Sequence, residues 1–425
     1  MSGWWLLIAF GVLTVMGIPI AFSLGASCVA FFVLNGIPLS TMPRIMMSLY
    51  ETFPFLAIPF FALAGQLMNL GGITVRIFDF AKTVAGHIPG GLAHANVVAS
   101  MIFAGMSGSA VADSAGLGTI EIQAMREDGY DPDFSAAITA ASSTVGPIIP
   151  PSIPFVLYGA MANVSVGALF LAGAIPGILM GLSLMAVVYV IALKRGYGVC
   201  EKPTFHGALR SFMYAVPALA TPVLILGGIV LGVCTPTEAA VIAVLYALFL
   251  GLIVYREMTP RDVLRIIGRV ARTVGMVALL SCTATVFGWI LTYEGIPQAI
   301  AQAMTSISPN RYVLLLIINL LLLLVGCFMD TTPALIVLVP ILLPMITAFG
   351  IDRVHFGVVM VLNLMIGLLT PPVGLCTFIV SDIAKRPFEC VVKATLPFMA
   401  ILIAVLMLVT YFPDITLFLP RLLLR

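Results

Sequence analysis

Charge is what this chain has least of. Only 9% of its 425 residues are Asp, Glu, Lys or Arg, whereas a soluble domain carries about 25%. With 61% hydrophobic residues, the chain cannot cover itself with water-compatible surface. That excludes a soluble globular protein and makes lipid the expected solvent. The net charge is +2, so the basic footprint of a nucleic-acid binder is missing. The 7 cysteines form no CxxC pair and lie mostly in apolar runs, which argues against a disulfide framework or a thiolate metal site. No Gly-x4-Gly-Lys-Ser/Thr loop occurs, so the chain is not expected to hydrolyse ATP by itself. The first residues, Met1-Ser2-Gly3-Trp4-Trp5, lack the basic region of a signal peptide and read as the start of a retained span.

What the chain does have is long charge-free stretches. A helix needs about 20 apolar residues to cross a bilayer, and the stretch 134–193 alone has room for two crossings. Segments 3–35 and 213–255, punctuated by Pro19 and Pro236, read as two-helix hairpins. With the N-terminus outside, only Arg44, Arg311, Arg353, Arg421 and Arg425 of the 20 basic residues fall on the outer side. This is the bias of the positive-inside rule, and flipping the chain reverses it. Segment 256–272 spaces Arg261, Arg265, Arg269 and Arg272 among aliphatic residues, the pattern of an amphipathic arm helix on the inner surface.

The chain also resembles itself. An ungapped shift of 221 residues aligns Gly105 with Gly326, Gly129 with Gly350, Asp131 with Asp352, Gly146 with Gly367, and Pro150-Pro151 with Pro371-Pro372. It also aligns Pro176 with Pro397; a shift of 223 aligns Gly65 with Gly288 and Gly72-Ile73 with Gly295-Ile296. Most of these residues dictate backbone shape rather than surface. The halves 1–205 and 206–425 therefore read as one backbone path traced twice. Each has a scaffold hairpin (1–52 and 213–255), an interrupted apolar pair (about 90–125 and 311–350) and a broken span (about 134–160 and 354–381). If each interrupted pair re-enters on its own side, the crossings per half are odd and the second half is inverted. The charge bias requires the same inversion. The fold class expected is an all-α polytopic membrane protein of two inverted-topology repeats, each with a re-entrant helical hairpin and a broken transmembrane helix, the pattern of secondary transporters.

Four interruptions lie at membrane depth: Gly105 to Ala110, Ser142 to Ser152, Gly326 to Pro333, and Asn363 to Gly374. Irregular backbone is tolerated there only where protein buries it or a cavity meets it. Freed carbonyls can coordinate a cation, and helix N-termini that begin there offer N–H groups to an anion. Asp330 and Asp113 are the charges at these breaks, which makes them functional candidates, although Asp330 also suits a helix cap. Thr235 to Glu238 reads as a capping box. Gln66, His87, His94, Asn163, Asn319 and Asn363 are polar groups in apolar surroundings, suited to interhelical hydrogen bonds or to ligand contact. Two other classes stay open. A channel could line its pore with the breaks, though no charged ring marks a filter. An intramembrane hydrolase would use Ser107, Ser109 and Asp113, but lacks a histidine or lysine in a catalytic pattern; His94 is the nearest candidate.

The stretches Leu56 to Gly65, Ser107-Gly108-Ser109-Ala110-Val111-Ala112-Asp113, Gly146 to Ser152, Gly326 to Asp330 and Leu369 to Gly374 resemble the large membrane subunit of tripartite ATP-independent periplasmic (TRAP) transporters. The likeness runs through essentially the whole chain. It implies an elevator-type transporter of the bacterial inner membrane, not an enzyme, with no cofactor and Na⁺ as coupling ion. One Na⁺ site would use Ser107, Ser109, Gly146, Ile149 and Pro151; the other would use Gly326, Gly367, Thr370 and Val373. Substrate contacts would come from Ser109, Asp113, Ser152, Asp330, Thr331 and Asn363. The resemblance also implies two partners, a small four-helix membrane subunit and a periplasmic binding protein. That protein would deliver a small organic acid such as a C4-dicarboxylate or a sugar acid. A stand-alone symporter without a binding protein is the remaining variant.

Overall fold

The computed structural model describes residues 4–48, 53–199, 205–296, 299 and 310–424, without the side chains of 4, 53, 54, 104–107, 205–208 and 210. Among the described residues there is no strand. The first half runs α1 (Trp4–Val15), α2 (Ile20–Leu34), α3 (Thr41–Ser48), α4 (Ala57–Leu70), α5 (Ile73–Ala85), α6 (Gly91–Ser107), α7 (Ala110–Glu127), α8 (Pro132–Ser143), α9 (Ile153–Ala162) and α10 (Val166–Arg195). The second runs α11 (Phe205–Val230), α12 (Pro236–Leu248), α13 (Pro260–Tyr293), α14 (Arg311–Gly326), α15 (Thr331–Ala348), α16 (Arg353–Gly367), α17 (Leu375–Ala384), α18 (Phe388–Tyr411) and α19 (Asp414–Leu423). By length and composition 6 of these helices can cross a membrane, or up to 8 if each of two bent pairs is one span.

Local chemistry sets the helix ends. Thr235 and Glu238 form the expected capping box at α12, with Pro236 in its first turn. Thr259 and Asp262 form a second one at α13. Asp131 caps α8 by accepting from the amides of Asp133 and Phe134 at 2.8 and 3.3 Å. Asp352, aligned with it by the 221-residue shift, caps α16 by accepting from Val354 and His355 at 2.8 and 3.0 Å. Gly129 and Gly350, also aligned, both turn the chain at positive φ just before these caps. Gly72 and Gly295 share a positive φ too, and at Gly71-Gly72 the chain bends by 72° between α4 and α5.

One boundary differs from the sequence reading. Segment 256–272 does not form a separate surface helix. Its helical part is the beginning of α13, which continues without a break through Tyr293. The charges end at Arg272, but no proline follows Pro260 in this helix, so nothing interrupts the backbone ladder. At 34 residues, α13 exceeds by far the ~20 needed for a crossing, and its arginine-bearing first turns extend beyond the apolar part.

The ends of α18 locate the two broken helices. Just before α18, Arg386 pairs with Asp133 at the start of α8, with N–O distances of 2.6 and 2.9 Å. The Asp133 carboxylate holds the Arg386 guanidinium above its ordinary range. At the far end of α18, His355 near the start of α16 reaches the Thr410 carbonyl at 3.3 Å and the Thr416 hydroxyl at 2.9 Å. Helix α18 has 24 residues, and at 1.5 Å per residue that is about 36 Å. The helices α8 and α16 thus enter the protein from opposite ends. Arg195 joins Asp131 at 3.3 Å, so the end of α10 lies with Arg386 at the end that the charge count places inside.

Packing around the first break depends on a glycine stripe in α10. A Cβ at Gly173 would collide with the Ile148 carbonyl oxygen and the Phe155 ring, one at Gly177 with Ile149, and one at Gly181 with the Met101 sulfur. Small residues at this spacing let backbones approach closely where lipid supplies no hydrophobic drive between helices. Gly173→Ala is therefore expected to lower the thermal midpoint of the purified protein, through overpacking worth about 1–3 kcal/mol. Gly11→Ala, where nothing lies within 4 Å of the added Cβ, should leave it unchanged. Thermal unfolding in detergent compares the two directly.

Candidate functional site

Two hairpin tips face two broken helices. In the first hairpin α6 ends at Ser107 and α7 begins at Ala110. Gly108 makes the turn at φ +57°, and Ser109 caps α7 by accepting from the Ala112 amide at 3.4 Å. A Cβ at Gly108 would stand 3.2 Å from the Pro151 carbonyl oxygen and 3.0 Å from the Ile153 nitrogen. The tip is thus held backbone to backbone against the break between α8 and α9. In the second hairpin Asp330 caps α15, accepting from the Thr331 amide at 2.8 Å. Gly326 lies so close to Gly367 that a Cβ on it would be 3.0 Å from the Gly367 Cα. The Val373 amide donates to the Cys327 carbonyl at 3.3 Å. Gly326 and Gly367 meet backbone to backbone, and no larger residue fits at either position.

Buried hydroxyls bind the first hairpin to its break. Asn96 of α6 donates to Thr139 at 2.7 Å and accepts from Ser142 at 2.6 Å. Ser100 donates to Ser142 at 3.1 Å, and Ser114 of α7 donates to Ser143 at 2.7 Å. All six side chains are buried, so both arms of the hairpin and α8 form one hydrogen-bonded body.

Between the tips lies a cavity of about 180 Å³. Ser109 lines it from the first tip, and Asp330, Thr331 and Thr332 from the second. Pro147 and Leu368 contribute from the two breaks, and Thr273 from α13. The Thr331 hydroxyl is buried with no hydrogen-bond partner among the described residues, an open donor and acceptor at the cavity wall.

Of the residues expected to contact substrate, Ser109, Asp330 and Thr331 meet here. The other three are placed elsewhere. Ser152 is fully buried and caps α9, accepting from the Phe155 amide at 3.2 Å. Asn363 is fully buried and donates to the Asn319 carbonyl and side-chain oxygens at 3.0 and 2.8 Å. Asp113 is buried in α7 beside Ser100. Sequence places a residue at a break but not on the side of it that faces the cavity. Of the residues expected to hold cations, Gly326, Gly367 and Val373 come together at the second tip. Beside them Thr370 donates its hydroxyl to the Ile366 carbonyl at 3.0 Å. Ser109 and Pro151 lie at the first tip, while Gly146 opens a short 3₁₀ turn and Ile149 packs on Gly177. The Ser107 side chain lies outside the described residues.

Three features escape the sequence reading. Glu121 is fully buried in α7, inside a run with no turn signal to single it out. Asn69 and Arg269 line a second cavity of about 150 Å³ together with Gln66. Gln66 and Asn69 stand three apart on α4, which puts them on one face; that spacing was the available signal.

The whole arrangement has counterparts among known proteins. The family model of the DctM component of tripartite ATP-independent periplasmic transporters matches residues 7–415. The sialic acid TRAP transporter large permease protein SiaM of Vibrio cholerae is 48% identical over 407 residues, 96% of this chain and 95% of that protein. The isethionate TRAP transporter permease protein DctMQ of Oleidesulfovibrio alaskensis is 43% identical over 414 residues, covering 96% of this chain but 65% of that longer protein. The crystal structure of the YdaH transporter from Alcanivorax borkumensis shares the fold, with a TM-score of 0.68 at 13% identity over 89% of this chain and 90% of that one. With that sequence match and these membrane-spanning helices, the chain belongs to the TRAP transporter family as a large permease subunit, an inner-membrane transport protein and not an enzyme.

Proposed function

We propose that this subunit drives Na⁺-coupled uptake of a small organic acid, delivered by a periplasmic binding protein and carried with the help of a small four-helix membrane subunit. The observation that supports this most is the cavity between the hairpin tips, with Ser109 on one wall and Asp330 and Thr331 on the other. Two cations would sit where each tip meets its break. The first would be held by Ser107, Ser109, Gly146, Ile149 and Pro151, the second by Gly326, Gly367, Thr370 and Val373. In favour of these positions, each tip touches loop backbone directly, at Pro151 and at Gly367. Unwound carbonyls and hydroxyls there suit a hard monovalent cation.

Cation binding would order the two tips, and ordered tips complete the acid site between them. Asp330, with its anionic side chain, gains from a nearby cation before an acid enters. The hydrogen-bonded body of α6, α7 and α8 then moves with its cargo against the remaining helices, an elevator-type alternation of access. The opposite entry of α8 and α16 at the two ends of α18 favours two oppositely oriented copies of one fold. Each charge moved with the potential contributes about 2.3 kcal/mol per 100 mV, so co-transported Na⁺ can drive steep accumulation. The acid's identity is left as a class: the two relatives reported above are named for sialic acid and for isethionate.

Uptake measured in proteoliposomes containing both membrane subunits, with binding protein outside, is expected to collapse when the Na⁺ gradient is removed. Equal uptake without it would rule out Na⁺ coupling, and uptake without the binding protein would point to a stand-alone symporter. Ser109→Ala and Thr331→Val should each lower uptake by about fivefold to tenfold, the worth of one neutral hydrogen bond of about 1 kcal/mol or slightly more. Asn363→Ala should act through stability instead: losing its bonds to Asn319 should lower the thermal midpoint even without substrate.

A further inference from the structure

We propose that the second cavity, lined by Arg269, Gln66 and Asn69, is the subsite that receives the anionic group of the transported acid. This rests on the uptake function proposed above and says which end of the substrate goes where. The cavity of about 150 Å³ adjoins the one between the tips, sharing Ala62, Ser109, Ile153 and Thr273 with it. Among the described residues no acidic one lines it.

Each of its polar residues brings at least one donor. Arg265, one turn earlier on α13, is engaged by Asp262 at 3.4 Å. Arg269 makes no ion pair among the described residues, and it is one of the residues that line the cavity. A guanidinium offers a planar fork of N–H groups that matches a carboxylate or sulfonate in two parallel bonds. Asn69 uses its side-chain oxygen to accept from the Thr74 hydroxyl at 3.1 Å, which leaves its NH₂ group as the free function. Gln66 lies one turn away on the same face of α4 and brings a second amide. A cation and two amides around a cavity without a carboxylate select an anion.

The joined cavities carry residues of opposite charge type in their two linings. Asp330 sits at the tip end and Arg269 at the other. An acid that crosses both meets repulsion for its carboxylate beside Asp330 and attraction beside Arg269. Its uncharged hydroxyl or amide groups then fall beside Ser109 and the open Thr331 hydroxyl. Arginine is required here rather than lysine because the fork fixes orientation as well as charge.

The test uses the reconstituted three-component transporter and three probe acids: N-acetylneuraminate, succinate and isethionate. For each acid taken up, Arg269→Gln is expected to raise KM at least tenfold with a smaller effect on the maximal rate, and Arg269→Lys to fall between. In parallel, thermal stabilisation of the purified pair of membrane subunits is followed against acid concentration. The wild type should be stabilised by an acid and not by its neutral amide (the diamide for succinate, the sulfonamide for isethionate). Arg269→Gln should need at least ten times more acid, while its midpoint without ligand stays that of the wild type. An unchanged KM or stabilisation curve for Arg269→Gln would overturn the proposal, as would failure of every acid to stabilise the wild type. If acids stabilise the wild type but not Arg269→Gln, and uptake ignores the Na⁺ gradient, the subsite stands and the coupling falls.

Discussion

A backbone amide or carbonyl inside a bilayer finds no water, and each one left without a partner costs several kcal/mol. Everything particular about this protein follows from how it meets that constraint at four breaks. The tips are capped by their own side chains, Ser109 at α7 and Asp330 at α15, and the first broken helix restarts under Ser152. Loop groups that no cap reaches are satisfied across the tip, as Val373 is by Cys327. The buried Thr331 hydroxyl finds no partner among the described residues and belongs to a residue that lines a cavity. A protein that breaks helices at membrane depth must either waste those groups or use them on a ligand.

The same medium dictates how the pieces are held. Between helices in lipid the hydrophobic effect contributes little, so close packing and hydrogen bonds carry the specificity. Glycine stands at several positions where backbones touch: Gly326 against Gly367, Gly108 against Pro151, Gly173 against the Ile148 carbonyl. Buried side-chain bonds do the rest. Asn96, Ser100, Ser114, Thr139, Ser142 and Ser143 unite the first hairpin with α8, while Asn319, Asn363 and Thr410 tie α14, α16 and α18.

Charge is rationed in the same way. Ion pairs gather at the helix ends, where Arg386 meets Asp133 and Arg195 meets Asp131. Around the cavities stand Asp330 in one lining and Arg269 in the other, while Asp113 and Glu121 are buried within α7. Relatives of comparable identity are named for chemically different acids.

The amino-acid sequence alone determined the solvent, the class and the outline. Sparse charge and long apolar runs required a membrane. Glycines, prolines and capping aspartates recurring at a fixed shift, such as Asp131 and Asp352 or Gly129 and Gly350, marked equivalent turns because those residues act on the backbone next to them. Local chemistry of that kind is legible without a fold. The cavity was not. Ser109, Asp330 and Thr331 reach it while Ser152 and Asn363 turn away, although all five lie in or beside the same breaks. Arg269 looked like one of several surface arginines until α13 proved continuous and placed it in the lining of the same cavity as Gln66 and Asn69. Which face of an unwound segment meets a cavity, and which distant helix supplies its opposite wall, depends on packing between residues far apart in the chain, and only the tertiary structure decides that.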